Sequence, residues 1–318
     1  MRAVVDRVLR FLTFPRLVVI VLVCTVVIHR SLSFRASHKS WAHAPVTFVA
    51  RDCPAPNYAT LSTTTTVQQQ GQQPSPALDI CLTTLTDEKS KSWQTKYFGW
   101  RNFDGLLALT WDNKRKYAQR HGYRLFDESN QLDTSRPASW SKIRAVQRLL
   151  NEEACDWVFW LDADTVVMNS NKKVQDFLPT SETIDILLSP DDGGGYNAGV
   201  WLVRNSEWTR NFLQEWWDMK SFVKPPGLAK SGDNDALKFK TAHMNADDAA
   251  HIGAPPRCTF NAFARFVKPN EYQAVETKLK DHHWYMDEAS YHKGDLIAHV
   301  AGVDNKVETI KLLLEEAV

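Results

Sequence analysis

The hydrophobic and polar positions of the chain fall into three regimes. Residues 17–28, LVVIVLVCTVVI, form an uncharged apolar run, and residues 11–15 extend it upstream across the single Arg16. Together, 11–28 reach the lower end of the roughly 17–25 residues a helix needs to cross a bilayer, with Arg16 reaching back to the headgroups. A cleavable signal has the same basic flank and apolar core, but its small-residue cleavage site should follow at once. His29-Arg30-Ser31-Leu32 offers none, and the nearest Ala-x-Ala, from Ala42 to Ala44, lies well downstream. The expectation is therefore an uncleaved transmembrane anchor at 11–28 behind a tail of residues 1–10. From 29 to 77 no periodicity persists. Runs of threonine (63–66) and glutamine (68–70), then GQQPSP at 71–76, make a polar low-complexity tract that cannot bury enough apolar surface to order itself. This tract is expected to be a stem leading to a folded domain at 78–318.

Strand and helix periods alternate over that domain. Residues 77–85 predict a strand, 106–121 a helix closed by Gly122, and 123–126 a second strand. Ile143, Val146, Leu149 and Leu150 recur at helical spacing within 141–153. The next run, Trp157-Val158-Phe159-Trp160-Leu161, is continuously apolar, as suits a central strand covered on both faces. Strands follow at 184–188 and 199–203, then a tryptophan-rich amphipathic helix at 207–219 and a short helix at 236–240. A strand at 296–300 and a helix at 306–316 close the chain. This alternation predicts an α/β domain with a central mixed, mostly parallel sheet flanked by helices.

Charge changes the picture at the N-terminus. The formal net charge of +1 divides into +6 over residues 1–39 and −5 over the remainder. A mildly acidic domain offers no basic face for tracking phosphates, which argues against nucleic acid as a partner. Arg2, Arg7, Arg10 and Arg16 precede the apolar core, so the positive-inside rule puts the tail in the cytosol and the domain in the lumen. Arg30, Arg35 and Lys39 behind the run reduce that contrast. Beyond Cys24 in the apolar run, Cys53, Cys81, Cys155 and Cys258 allow three full pairings and have no metal-site spacing. The apolar neighbours of Cys81 and Cys155 predict buried core thiols there.

Candidate chemistry centres on Asp162-Ala163-Asp164, directly after the apolar strand. Ligands of open α/β sheets bind beyond the carboxyl ends of strands. Residues i and i+2 of an extended segment point the same way, so both carboxylates would converge on one cation such as Mn²⁺ or Mg²⁺. The competing account is a turn cap at Asp162 and a solvated Asp164.

Here the sequence resembles a known family. Ser141-Lys142 with its helix, and the run from Asp156 to Asp164, are similar to the donor-site block of the GT-A glycosyltransferases. YNAGVWLVRNSEW at 196–208 resembles the N-(T/A)-G strand, R-N and tryptophan of glycosyltransferase family 34, the galactosyl-, mannosyl- and xylosyltransferase group. KGDLIAHVAG at 293–302 resembles that family's G-D-(F/L)-x-x-H-x-x-G segment. The similarity spans 78–304 and leaves the anchor and stem outside it.

The resemblance implies a GT-A (Rossmann-like) fold and retaining transfer of galactose, mannose or xylose from a UDP- or GDP-sugar. The implied acceptor is an oligosaccharide, glycoprotein or polysaccharide. The implied setting is a single-pass type II Golgi membrane protein with a lumenal catalytic domain. Asp162, Asp164 and His299 would hold the metal, although a histidine satisfied within a buried strand is the plain alternative for His299. Lys142, Asn197, Gly199, Gly302 and Lys306 would border donor or acceptor; for Lys142 and Lys306 a solvated lysine competes. Ser231 to Leu237 resembles the family's S-(E/D)-Q-D-A segment, implying catalytic roles for Asp233, Asn234 and Asp235. Asn234 stands where glutamine is usual and is one methylene shorter; an N-cap cluster is the competing account. Trp284, Tyr285 and Tyr291 would stack on sugars if they are not core residues. Gly193-Gly194-Gly195 is too unspecific to be a phosphate loop. Two other classes remain: a scaffold that kept the fold without catalysis, and a phosphohydrolase with Asp162 as nucleophile. The second leaves the blocks at Asn197, Asp235 and His299 without a role.

Overall fold

The structure, a computed structural model, describes residues 53–56, 78–88, 103–225, 231–264, 290–303 and 306–317. The anchor expected at 11–28, the tail and most of the stem lie outside these residues. Among the described residues, no helix is long and apolar enough to cross a membrane.

The first half of the domain runs β1 (Ile80–Thr84), α1 (Leu106–His121), β2 (Arg124–Asp127), α2 (Ser141–Asn151), β3 (Trp157–Leu161), β4 (Thr165–Val167), β5 (Ile186–Pro190) and β6 (Tyr196–Arg204). It continues through α3 (Glu207–Asp218), α4 (Asp233–Ala242), α5 (Ala246–Ala249), β7 (Ile252–Gly253), α6 (Arg257–Phe260), β8 (Ala262–Phe263), β9 (Ile297–His299) and α7 (Lys306–Glu316). A six-stranded sheet has the order β2-β1-β3-β6-β5-β7, and a three-stranded sheet the order β4-β9-β8.

The main sheet is mixed and mostly parallel, as expected: of its six described strands only β6 runs against the rest. β1 runs parallel to β2 and β3, but β6 lies antiparallel to both β3 and β5. The cause is the short link Asp191 to Gly195, since a parallel crossover needs a dozen or more residues. Gly194 and Gly195 take φ of 79° and 66°, left-handed values that glycine adopts without strain, and turn β5 back into β6. The triple glycine is thus a hairpin turn.

Strand alternation distributes the core over both faces. Cys81, Val158, Trp160, Trp201 and Val203 face α2 and α3 through Ile143, Val146, Leu149, Phe212 and Trp216. Ile80, Leu82, Phe159, Leu161, Val200 and Leu202 face the opposite way, toward Tyr117 and Ala118 of α1 and toward Phe177 and Phe260. A third cluster seats Val166 and Ala298 of the smaller sheet, and Val300 just after β9, against Leu106 of α1 and Ile310 and Leu313 of α7. Continuous burial of β3 follows from this two-sided cover.

Two disulfides correct the cysteine expectation. Cys81 and Cys155 are fully buried, but they are bonded to each other and are not thiols. Cys53, within the expected stem, is bonded to Cys258 of α6. Register explains why the first pair was hidden: Cys81 lies opposite Val158 in the β1–β3 ladder, so Cys155 enters β3 beside it.

Candidate functional site

Between Leu161 and Thr165 the chain leaves the main sheet and enters the smaller one, and Asp162-Ala163-Asp164 makes the passage as a turn, not as continued strand. Its backbone is fixed from three sides. Asp162 N–H donates to Gly199 O at 2.8 Å, and Val300 N–H donates to Asp164 O at 3.0 Å. Thr165 closes the turn by donating its Oγ1–H to Asp162 O at 2.7 Å. From α1, Thr110 Oγ1 donates to Ala163 O at 2.9 Å and Lys114 Nζ to Thr165 O at 2.7 Å. Asn113, on the same helix, exchanges two bonds with Val167.

Each of the three candidate ligand side chains, Asp162, Asp164 and His299, has one end tethered and the other turned inward. Asp162 Oδ1 accepts from Trp160 Nε1 at 2.8 Å and Lys142 Nζ at 3.0 Å, while Oδ2 faces His299 Nε2 at 4.0 Å. Asp164 Oδ2 accepts from Lys306 Nζ at 2.6 Å, while Oδ1 lies 3.5 Å from His299 Nε2. His299 Nδ1 is engaged by Asn261 Oδ1 at 2.9 Å. One ligand atom from each of the three residues falls within 4.8 Å of the others. Adjacent ligands of an octahedral cation with bonds of about 2.1 Å stand about 3 Å apart, so this oxygen–oxygen–nitrogen set fits Mn²⁺ or Mg²⁺ after a movement of about 1 Å.

The electrostatics are balanced by buried lysines. Lys142 is 3% exposed, and besides Asp162 it donates to Ala198 O at 3.0 Å and pairs with Asp233 at 3.3 Å. It braces the site from beneath and is not a surface lysine. Lys306, also 3% exposed, opens α7 and binds Val300 O as well as Asp164, so the solvated alternative does not hold for it either. Burial alone would raise the Asp164 carboxyl, but the charges of Lys306 and His299 outweigh it and hold the group far below the carboxylate range. Asp233 shows the same contest: desolvation pushes it up, while Lys142 and the Ser231 and Ser139 hydroxyls bring it below its ordinary value. The fully buried Lys114 is pulled down to about 7 by desolvation, against the raising effect of Asp164 and Asp162.

The other sequence candidates divide. Gly199 is required sterically, since a Cβ there would lie 2.2 Å from His299 Cε1. Asn197 Oδ1 accepts from Gly199 N–H at 2.9 Å. Asn234 Oδ1 accepts from Ala198 N–H at 2.7 Å, and its amide donates to Asp191 Oδ2 at 3.2 Å. These residues join the cluster around the metal candidates. Asp235, half-buried in the first turn of α4, and Gly302, in an exposed turn with φ 70°, are not hydrogen-bonded to that cluster among the described residues. The N-cap account of Asp233 fails: α4 starts at Asp233 behind Gly232, whose φ of 96° makes the cap without a side chain. Tyr291 packs against the third core cluster, while Trp284 and Tyr285 lie outside the described residues.

Lys114, Asn261 and Asp191 went unmarked in the sequence. Lys114 does carry a signal, because it interrupts the buried face of Leu106, Leu107, Thr110, Tyr117 and Ala118 at helical spacing. Asn261 is a lone polar residue within Phe260-Asn261-Ala262-Phe263-Ala264.

A carboxylate–imidazole cluster beyond a central strand marks the class: an α/β protein with a group of side chains that could hold a metal ion. Sequence comparison then gives the family. The chain belongs to the galactosyl transferase GMA12/MNN10 family, whose profile matches residues 92–189 and 179–309. It is 27% identical over 201 residues to the probable alpha-1,6-mannosyltransferase MNN10 of Saccharomyces cerevisiae, covering 52% of this chain and 50% of that protein. It is 24% identical over 226 residues to an alpha-1,2-galactosyltransferase of Schizosaccharomyces pombe, covering 60% and 54%. The chain thus spans about half the length of these curated relatives. Among solved structures, a glycosyltransferase involved in glycosylation of the major capsid of PBCV-1 aligns over 74% of this chain and 99% of that one, with 16% identity and a TM-score of 0.48.

Proposed function

We propose that this chain is a retaining, divalent-metal-dependent glycosyltransferase of GT-A type. It moves a galactosyl, mannosyl or xylosyl unit from a UDP- or GDP-sugar to an oligosaccharide, glycoprotein or polysaccharide acceptor. It is held in the Golgi membrane by the anchor at 11–28 in single-pass type II orientation, with 78–318 in the lumen. The observation that carries the reading is the convergence of Asp162, Asp164 and His299 within 4.8 Å, each tethered at its other end. A cation bound there would neutralise the charge that develops on a nucleoside diphosphate as the glycosidic bond breaks.

The chain's own residues do the rest. Lys142 and Trp160 orient Asp162, and Lys306 orients Asp164 within reach of where the diphosphate would lie. Asn197, Gly199, Asn234 and Asp235 border the sugar and acceptor, Asp233 steadies Lys142, and Gly302 lets the backbone approach the donor. At the carboxyl end of β1, the buried hydroxyls of Thr83 and Thr84, on opposite faces of the strand, have no hydrogen-bond partner among the described residues.

Thermal shifts against UDP- and GDP-sugars with Mn²⁺ test the donor, and transfer assays test the metal ligands. Asp162→Asn and Asp164→Asn leave each lysine an acceptor oxygen, so both variants are expected to fold. Each should lose transfer on the order of 10³-fold, equivalent to the several kcal/mol a metal supplies. Wild-type turnover by both variants, or no stabilisation by any nucleotide sugar, would sink the reading.

A further inference from the structure

The orientation of His299 is set by a chain of hydrogen bonds that begins at a backbone N–H. Gly199 N–H is a donor only, so the Asn197 atom 2.9 Å from it has to be the carbonyl oxygen Oδ1. The other end of Asn197 is then its NH₂ group, and it donates to the Asp191 carboxylate at 3.3 Å, an acceptor that would reject the reverse orientation. With Asn197 fixed at both ends, the Asn261 atom 3.1 Å from Asn197 Oδ1 must be the NH₂ group. Asn261 therefore presents its carbonyl oxygen to His299 Nδ1 at 2.9 Å, which places the proton on Nδ1. In the neutral ring Nε2 then keeps its lone pair, facing Asp164 Oδ1 at 3.5 Å and Asp162 Oδ2 at 4.0 Å. Asn261 is fully buried and His299 nearly so, so water does not compete for these bonds.

The geometry points to Asn261 as a positioning residue that selects the Nδ1–H tautomer of His299 and aims its Nε2 lone pair at the cation site. This rests on the reading of Asp162, Asp164 and His299 as metal ligands. A ligating histidine commonly donates its second N–H to an oxygen, and loss of that partner weakens metal binding. The position of Asn261 is itself secured. It follows α6 directly, its N–H donates to Arg257 O at 2.7 Å, and Arg257 donates from Nε to Pro190 O at 2.6 Å. The disulfide from Cys258 to Cys53 holds the same short helix.

Two measurements on the full chain test this. In the metal-free, ¹⁵N-labelled protein, a long-range histidine ¹H–¹⁵N spectrum, assigned by comparison with His299→Gln, should show His299 protonated on Nδ1. An Nε2–H tautomer overturns the inference without any need for an Asn261 variant to fold. Mn²⁺ uptake, read from the electron paramagnetic resonance signal of the free ion, then separates positioning from packing. Asn261→Leu, matched in size but without an acceptor, should weaken binding roughly 10–100-fold. A merely structural asparagine would lower the unfolding midpoint of Asn261→Leu and leave its Mn²⁺ affinity at the wild-type value. Wild-type Mn²⁺ affinity in Asn261→Leu, with His299→Ala impaired, defeats the Asn261 inference and leaves the metal site standing. No Mn²⁺ uptake by wild type defeats the metal reading itself.

Discussion

At the residue scale, Lys114 shows what the turn at 162–165 demands. The side chain is fully buried, its ammonium donates to Thr165 O at 2.7 Å, and desolvation brings its pKa from 10.5 down to about 7 despite the raising effect of Asp164 and Asp162. A lysine whose value is lowered by folding is protonated in the unfolded chain, yet largely neutral in the folded one, between about 7 and 10.5. The unfolded state binds more protons across that window, so stability rises with pH there. Below about 7 the lysine is charged in both states, and the cost of burying the ammonium is fully present. The metal-free chain is therefore expected to gain stability from Lys114 as pH climbs from neutrality, and Lys114→Met should flatten that part of the profile. Chemical denaturation of both proteins at several pH values checks this; an unchanged slope in the variant would remove Lys114 as the source.

At the scale of elements, the Cys81–Cys155 bridge ties the central strand β1 to the chain entering β3 across 74 residues of sequence. Closing a loop of that length is worth about 4–5 kcal/mol by loop-closure entropy, acting through the unfolded chain. The double variant Cys81→Ala with Cys155→Ala should lose about that amount in urea unfolding, and wild-type stability would show that the bridge contributes nothing. Neither the bridge nor the pairing of β1 with β3 was legible in the sequence, since strand order is set by contacts between distant segments. Elements with a sustained period and a clear stop were legible. The helix at 106–121 ends at Gly122 as expected, and the strand 157–161 and helix 306–316 match to the residue. β4, β7 and β8, of two or three residues, are too short to show any period. Asp162 and Asp164 were legible as a candidate pair from their place beyond an apolar strand, although they lie in a turn and not in extended chain, and His299 was reached only through the family resemblance. Asn261 and Lys114 were not, because each acts through a neighbour that only the tertiary fold supplies.

At the scale of the whole molecule, the Cys53–Cys258 bridge extends the domain beyond its expected start. Residue 53 falls within the stretch expected to be a stem, yet it is bonded to α6, the four-residue helix that also carries Arg257 and leads into Asn261. The segment 57–77 is consequently closed at both ends: Cys53 on one side, and on the other β1, which is bonded through Cys81 to Cys155. A cut in the glutamine tract at 68–70 should therefore break the chain without releasing a fragment. With a site-specific protease sequence inserted there, the nicked protein is expected to migrate as one species without reductant and as two with it. The separation of 205 residues between Cys53 and Cys258 gives this bridge a large effect on the unfolded chain, about 5 kcal/mol by loop-closure entropy. Because α6 also positions Asn261, the nicked and unreduced protein should keep wild-type Mn²⁺ uptake, whereas Cys53→Ser should lower the unfolding midpoint. Separation of the two pieces without reductant would show that the folded unit begins after the stem and not within it.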